Sequence, residues 1–338
     1  MKSFLKTKSV GSGMAHLLDF FCEKNHLRSP VKHIYHIDDR IPLNRWFKKL
    51  KYVDQQYKQD GLGLDIASLS NASYIGISAY LATSCKNLSS YIGMPIQYIS
   101  IWYDYMYKEV YFSDDEIIIS WGKPAYYRAN IFVRETAISE ELQVGIIFQR
   151  VKQITGENTN VFNRVTLAIP KPKNTRKYEE YFGCPVIFDA ELTSFHICKH
   201  VIEMPLSSED PVLFELLKKQ AEEMMKKMPK NSTFLENVNQ AIIKSINLQD
   251  PKIGTVAEYL NLSSRSLQSM LKEQGVTFQD LLNNVRLNLA QEYLSQSDKS
   301  IIEISNLLGY QEQTSFNRGF KTWTGHSPMR WRDLHNQK

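Results

Sequence analysis

The chain has 338 residues, of which 43% are hydrophobic and 23% charged, and its formal net charge is +5 at pH 7. This length and apolar content suffice for two domains with hydrophobic cores. No segment approaches 18 uninterrupted apolar residues, and the first residues lack the apolar run of a secretory signal. We therefore expect a cytoplasmic protein without a membrane partner.

The N-terminal two thirds of the chain change from helix-forming to strand-forming patterns. Residues 1–13 are polar and small, which predicts a flexible arm. Helices followed by strands that alternate with helices predict an α+β domain over residues 14–228. Spacing and residue type predict helices over residues 14–24, 42–59, 65–81, 87–103, 138–155 and 174–182, and strands over 106–113, 117–121, 126–135, 161–169 and 185–206.

An amphipathic helix is predicted over residues 210–227, before a linker over 229–233. Its apolar side fits packing on the N-terminal domain, and the alternative is contact with a second copy of the chain. The remaining residues, 234–338, are predicted to form an all-α domain.

A short pattern occurs twice in this last domain. Leu267, Leu271 and Lys272 are repeated 49 residues later as Phe316, Phe320 and Lys321, and a glycine follows each copy. Apolar side chains four residues apart lie on one face of a helix. A short amphipathic segment precedes each copy, so the repeat predicts two helix-turn-helix units, at about 255–275 and 301–323.

Capping signals predict where the helices of these units begin and end. Thr255 with Glu258, and Ser300 with Glu303, both have the spacing of a capping box, in which hydroxyl and carboxylate each accept a backbone N–H. Ser263 or Ser264 is expected to cap the next helix of the first unit. A glycine, Gly309, is expected to end the first helix of the second unit.

A long helix is predicted to join the two units. Apolar residues recur at helical spacing through residues 277–294, which gives about five turns. A helix of that length could hold two units about one turn of DNA apart, roughly 34 Å.

The outward face of the second helix in each unit carries the candidate DNA-binding residues. Side chains of Arg, Lys, Gln, Asn, Ser and Thr can contact base edges and phosphates. From residue 231 onward there are 11 Lys and Arg against 10 Asp and Glu, so binding depends on placed side chains and we expect a modest salt dependence. The candidates are Arg265, Gln268, Ser269 and Lys272 in the first unit, and Gln313, Thr314, Asn317, Arg318 and Lys321 in the second.

The last hundred residues resemble the DNA-binding domain of the AraC/XylS family of transcription regulators. The resemblance rests on the two units and on the ending Gly325-His-Ser-Pro328-Met-Arg-Trp331-Arg. It implies that the candidate residues face promoter DNA, that RNA polymerase is a partner, and that activation is commoner than repression. Many members carry Arg where this chain has Ser269, so base choice by the first unit is expected to depend on Arg265 and Gln268.

The segment from Tyr181 to Ala190, together with Met204-Pro205-Leu206, resembles the arabinose-binding-type sensor domain of regulators of ornithine use and of the VirS type. This resemblance implies a small-molecule effector and a possible homodimer. Arg28, Lys32 and Arg45 are weak candidates for pairing with an effector carboxylate. The alternative is an effector-independent regulator whose N-terminal domain is a platform for dimerisation or for a protein partner.

Other constellations give weaker predictions. His196, Cys198 and His200 would share one face of a strand, but three positions in a row, about 7 Å apart, are poorly placed to close around one ion. The four cysteines show no paired spacing, and the surroundings of Cys184 do not fit a methyl-accepting nucleophile. Phosphate-binding glycine loops and hydrolase motifs are absent from the sequence, so we expect no metal, no cofactor and no enzyme.

Overall fold

The computed structural model describes residues 8–31, 35–36, 39–92, 109–113, 115–122, 132–156, 159–206, 209–227, 234–296 and 298–335. Within them, residues 8–122 and 134–227 belong to an N-terminal unit, and residues 234–335 belong to a C-terminal unit. No helix among these residues has the length and apolar content needed to cross a membrane.

The N-terminal unit begins with a small two-stranded sheet. Strand β1 (Lys8–Gly11) pairs antiparallel with β2 (Arg40–Pro42), and helix α1 (Ser12–Lys24) follows β1 directly. The prediction of a flexible arm is therefore wrong for residues 8–13. Val10 is fully buried and Ile41 nearly so, and burial of these side chains outweighs the polar composition around them.

Four further helices complete the first part of this unit: α2 (Leu43–Tyr57), α3 (Leu62–Ser68), α4 (Ala72–Ile75) and α5 (Ile77–Thr83). The single helix predicted over 65–81 is thus divided into three. Asn71 caps α4 through a bond from the Ser73 N–H to its side chain. Gly76 separates α4 from α5 with φ 82° and ψ −153°, a conformation that strains any residue with a Cβ.

A five-stranded sheet forms the second part. Its strands are β3 (Glu109–Phe112), β4 (Glu116–Trp121), β5 (Phe162–Thr166), β6 (Val186–Ile187) and β7 (Thr193–Cys198). Their order is β3-β4-β7-β5-β6, with β5 and β6 parallel and the other neighbours antiparallel. The predicted hairpin of β3 and β4 is confirmed.

Three helices pack around this sheet: α6 (Val133–Thr155), α7 (Arg176–Phe182) and α8 (Pro211–Lys227), of which α8 contacts α5. Helix α6 is buried along most of its length and contributes Val144, Phe148 and Val151 to the main core. It begins five residues before the predicted start, so the strand predicted over 126–135 is wrong for residues 133–135; residues 126–131 lie outside the described residues. The helix predicted over 87–103 also lies outside the described residues from residue 93 onward.

The C-terminal unit is entirely helical among its described residues. Helix α9 leads into a first helix-turn-helix unit (α10, α11), a joining helix (α12), a second unit (α13, α14) and a last helix (α15). The two predicted units and the long helix between them are confirmed. The bounds are α9 (Phe234–Asn247), α10 (Ile253–Tyr259), α11 (Ser264–Glu273), α12 (Phe278–Gln296), α13 (Ile301–Leu307), α14 (Gln313–Thr324) and α15 (Pro328–His335).

Candidate DNA-binding surface

The turn of the first unit is closed by backbone hydrogen bonds. The Leu262 N–H donates to the Ala257 carbonyl over 2.9 Å, and Asn261 adopts φ 53°. Asparagine tolerates this left-handed conformation better than most residues. Ser263 then caps α11 by accepting the Ser266 N–H at 3.0 Å, as one of the two expected serines.

The second unit repeats this turn 48 residues later. The Tyr310 N–H donates to the Ser305 carbonyl over 3.1 Å, and Gly309 adopts φ 71°. At the start of α13 the predicted capping box is present: the Ser300 side chain accepts the Glu303 N–H, and the Glu303 carboxylate accepts the Ser300 N–H at 2.8 Å. Both helices of this unit therefore begin and end where the sequence predicts within a few residues.

The capping box expected at Thr255 in the first unit is wrong. Helix α10 begins at Ile253, with Lys252 as N-cap and no side-chain cap bond. Thr255 is therefore already helical, and its hydroxyl donates to the Asp250 carboxylate over 2.5 Å. The Asp250 carboxylate lies just before the helix and is also paired with Lys252 at 2.7 Å, so it supplies negative charge near the N-terminus of α10.

Apolar side chains hold the second helix of each unit, which we call the recognition helix, against its domain. Leu267 on α11 and Phe316 and Phe320 on α14 are fully buried, and Leu271 is almost so. Phe320 also meets the ring of Trp331 edge to face at 6.0 Å. Met270, although apolar, is exposed because it lies at the flank of the apolar stripe on α11.

The candidate DNA-binding residues lie on the opposite faces of the recognition helices. On α11 all four are exposed. On α14, Thr314, Arg318 and Lys321 are exposed, whereas Gln313 and Asn317 are half-buried. The side-chain oxygen of Asn317 is buried and has no hydrogen-bond partner among the residues that the structure describes. The four exposed candidates on α11 are Arg265, Gln268, Ser269 and Lys272.

Arg286, which the sequence analysis did not single out, connects α12 to the second unit. Its guanidinium donates to the carbonyls of Leu308 and Gly309, both over 2.9 Å, and lies 4.0 Å from the centre of the Tyr310 ring. These carbonyls belong to the end of α13, where helical partners are missing. Arg286 follows Leu282 by four residues and precedes Leu289 by three; this position on the apolar stripe of α12 is the signal that could have identified it.

The weak effector candidates do not converge in the N-terminal unit. Arg28 and Arg45 are exposed, and neither lines the cavity that the unit contains between α4, α5 and α6. Lys32 lies outside the described residues.

The cluster considered as a metal site has a different arrangement. His196 Nδ1 lies 3.0 Å from the Glu116 carboxylate, and its Nε2 lies 3.1 Å from the Ser194 hydroxyl. The Cys198 thiol donates to the Asn163 side chain. His200 lies in a short 3-10 turn beyond β7 and is exposed, so the predicted shared strand face ends at Cys198. Among the described residues no group of three or more His, Cys, Asp or Glu could hold a metal ion.

Two family models match the chain. One, described as a helix-turn-helix domain, matches residues 256–333 and so includes both recognition helices. The other, described as the N-terminal arabinose-binding domain of AraC transcription regulators, matches residues 32–206, which is just over half of the chain.

The chain is also similar to individual regulators. It is 26% identical over 291 residues to the ornithine utilization regulator of Pseudomonas aeruginosa, covering 85% of this chain and 83% of that protein. It is 28% identical over 155 residues to the transcriptional regulator VirS of Mycobacterium tuberculosis, covering 46% and 45% of the two chains. The crystal structure of the regulator CdpR from Pseudomonas aeruginosa matches with a TM-score of 0.48 and 18% identity, covering 95% of this chain and 98% of that one.

These relatives are regulators of transcription, not enzymes. The arabinose-binding-domain model over more than half of the chain is followed by two helix-turn-helix units with exposed polar faces. The chain therefore belongs to the AraC family of transcription regulators and carries a DNA-binding helix-turn-helix domain behind an arabinose-binding-type N-terminal domain.

Proposed function

We propose that the protein activates transcription by binding promoter DNA with both recognition helices, under the control of a small-molecule effector bound by its N-terminal unit. The observation that supports the DNA-binding part of this proposal is that α11 and α14 are amphipathic. Leu267, Leu271, Phe316 and Phe320 are buried, and polar or basic side chains are exposed on the other side. Such a face fits a major groove, where base edges carry distinct donors and acceptors.

Each exposed side chain is assigned the contact that its chemistry favours. Arg265 and Arg318 can each donate two hydrogen bonds to one guanine, and Gln268 can pair with adenine. Lys272 and Lys321, one turn from the base-facing residues, neutralise phosphates. Ser269, Gln313, Thr314 and Asn317 complete the proposed face.

Binding to labelled duplexes, followed by fluorescence anisotropy, tests this assignment. A specific duplex is first selected from a random pool with the full chain, and a scrambled duplex serves as reference. Arg318→Ala should weaken specific binding by about 1–3 kcal/mol, which is about 5- to 150-fold, and relax preference at one base pair. Lys321→Ala should weaken both duplexes alike and lower the salt slope by about one.

Arg176→Ala is the matched control, because Arg176 is exposed in the N-terminal unit and pairs only with the nearby Glu180 among the described residues. It should bind both duplexes as the parent does. If Arg318→Ala and Lys321→Ala also bind like the parent, the proposed face does not contact DNA.

The effector and the sign of regulation are tested by transcription with purified RNA polymerase on the selected promoter. The match to an arabinose-binding-type domain supports a small-molecule effector. We expect more transcript when the protein is added, and a further change of several-fold on adding the small-molecule fraction of a cell extract. A fall in transcript on adding the protein would mean repression instead.

A second candidate is an effector-independent regulator whose N-terminal unit is a dimerisation platform. It is favoured by an apolar surface at the start of α8, where Val212 is 72%, Leu216 61% and Leu213 43% exposed. Such a surface fits contact with a second copy of the chain. Sedimentation of the full chain should then give a dimer that Leu216→Glu dissociates and Lys218→Glu does not; a monomer in every case excludes this interface.

A further inference from the structure

A buried arginine without a carboxylate partner among the described residues lies in the last third of α6. Arg150 is 4% exposed, and among the described residues its guanidinium donates only to the Gln153 side chain, over 2.8 Å. Burial lowers its pKa, and nearby Tyr91 and Tyr80 oppose that effect only in part. A buried cation is strongly unfavourable unless an anion or several acceptors compensate it.

Two other arginines of this chain have partners that compensate the charge of the guanidinium. Arg134, near the start of the same helix, makes an ion pair with Asp54 at 2.8 Å. Arg286 in the C-terminal unit donates to two backbone carbonyls. Arg150 has neither arrangement, so its position is not explained by packing within the described part of the chain.

Arg150 borders a small cavity that is partly open to solvent. The cavity volume is about 20 Å³, which is enough for one water molecule. Its other walls are mostly apolar, with Ile75 and Ala79 on one side and Ile146 and Ile147 on the other. The hydroxyl of Ser78, which also lines it, is buried and has no hydrogen-bond partner in the described part of the chain.

We infer that Arg150 and Ser78 bind the carboxylate of a small monocarboxylate effector, whose apolar part lies against the isoleucines of this cavity. The inference rests on the proposed effector control and names the chemical class of the ligand. One cationic side chain matches one negative charge, and the planar guanidinium matches a carboxylate through two parallel hydrogen bonds. The Ser78 hydroxyl supplies a further donor.

The cavity must widen to admit more than the carboxylate, and α5 is the element that can move. Ser78 and Ala79 belong to α5, which starts after Gly76, and a Cβ at Gly76 would meet no atom within 4 Å. Helix α5 also packs against α8. Because α8 is the last helix of the chain before the DNA-binding unit, a shift of α5 on binding gives a route from the cavity to the linker.

The test uses the full chain with butanoate, hexanoate and octanoate as probes, and the corresponding primary amides as uncharged controls. Ligands that bind only the folded state raise the unfolding temperature. At least one carboxylate should raise it by about 2–4 °C with saturation, while its amide has no effect at the same concentration. If no carboxylate acts, or if carboxylate and amide act equally, the inference is wrong.

Two variants connect the response to the cavity. Arg150→Met should abolish the carboxylate response and leave the unfolding temperature unchanged or higher, because an uncompensated buried charge is replaced by an apolar group of similar length. A purely structural Arg150 would instead give a less stable variant. Ser78→Ala, which keeps the fold, should weaken carboxylate binding by about tenfold.

Arg176→Met is the control, since the Arg176 side chain is 84% exposed, and it should respond as the parent does. A carboxylate response that persists in Arg150→Met, or an unchanged affinity in Ser78→Ala, overturns the inference. Binding of the parent to its selected duplex is measured in the same samples. A parent that binds the duplex but no carboxylate fails this inference alone, whereas a parent that binds no duplex fails the proposed function.

Discussion

The two helix-turn-helix units share a backbone turn but stabilise it with different side chains. In each, a backbone N–H closes the turn by donating to the carbonyl five residues earlier. The Leu262 N–H donates to Ala257 in the first unit, and the Tyr310 N–H donates to Ser305 in the second. The first unit uses asparagine at the left-handed position and the second uses glycine. The shared feature is thus the path of the backbone, and sequence identity between the units is not needed to keep it.

The larger difference is how each unit is joined to its surroundings. In the second unit, Arg286 of α12 binds the end of α13, and Tyr310, Phe316, Phe320 and Trp331 form a chain of ring contacts. In the first, Lys244 of α9 lies 3.8 Å from the centre of the Tyr259 ring of α10, and Asp250 pairs with Lys252 and Thr255 at the start of α10. We therefore expect the second unit to be the more stable of the two. It should also lose more stability than the first unit when the contact of Arg286 is removed.

Arg286→Ala should have the largest effect. It leaves the carbonyls of Leu308 and Gly309 without their charged donor and removes the stacking on Tyr310, at a cost of about 3 kcal/mol. Hydrogen exchange detected by mass spectrometry measures this by segment. Exchange in residues 301–324 should rise by about a hundredfold or more, with a smaller rise in residues 253–273.

Arg265→Ala is the control for that experiment, because Arg265 is exposed on α11 and a surface change of this kind alters stability by at most about 0.5 kcal/mol. Equal loosening of both units by Arg286→Ala would mean that the C-terminal unit unfolds as one body and that the proposed difference does not exist.

The two units are also expected to contact different base pairs. Ser269 cannot make a bidentate contact to guanine, so the first unit has one arginine, Arg265, available for this purpose on its proposed face. Arg318→Ala and Arg265→Ala should each cost about 1–3 kcal/mol on the selected duplex, and each should relax preference in a different half of the site. If both relax the same base pair, the two recognition helices do not read adjacent grooves.

The turn residues give a smaller effect. A Cβ added to Gly309 would lie 3.1 Å from Pro251 Cγ and would sit on a residue with φ 71°. Gly309→Ala should therefore lower the free energy of unfolding by about 1–2 kcal/mol. Asn261→Gly is the matched change in the first unit and should be close to neutral, because glycine adopts the same conformation freely. Urea unfolding of both variants, followed by circular dichroism, compares them; a Gly309→Ala as stable as the parent contradicts the strain argument.

The sequence predicted the order and spacing of the five helices from α10 to α14, because apolar periodicity and glycine positions are local signals, but it did not predict α15. It misplaced the start of α10, since the Thr255 pattern matched a capping box while the true N-cap, Lys252, lies 48 residues before Ser300 and carries no capping side chain. The turn-to-turn offset of 48, rather than the offset of 49 between recognition helices, would have indicated Lys252.

Buried charges were the main omission. Arg150 and Arg286 both lie among apolar residues on helices that were correctly predicted, but arginine on an amphipathic helix is ordinarily exposed. Their burial depends on partners distant in sequence, such as the carbonyl of Leu308, and on the packing of α5 against α6. Local pattern carries no information about either. The same reason explains the missed pairing of β1 with β2, whose residues are separated by α1.

The smallest expected effect is a loss of helix stability at low pH, and it again differs between the two units. Hydrogen bonds from the Ser300 N–H and hydroxyl, and the charge of Lys299, hold the pKa of Glu303 below its usual range. In the unfolded chain that pKa is about 4.3. The capping contribution is therefore complete above about pH 4.3 and is lost as the pH falls through the lower folded-state pKa.

Glu303→Gln isolates this contribution, because glutamine can still accept the Ser300 N–H but does not titrate. Amide protection factors for residues 301–307, corrected for the intrinsic exchange rate, should fall between pH 5 and pH 3 in the parent more than in the variant. Asp250, whose pKa is lowered by hydrogen bonds from Lys252 and Thr255, is unchanged in both proteins, so residues 253–259 should lose protection equally. An identical acid response at residues 301–307 in parent and variant would assign the loss to other carboxylates, such as Asp280 at the start of α12.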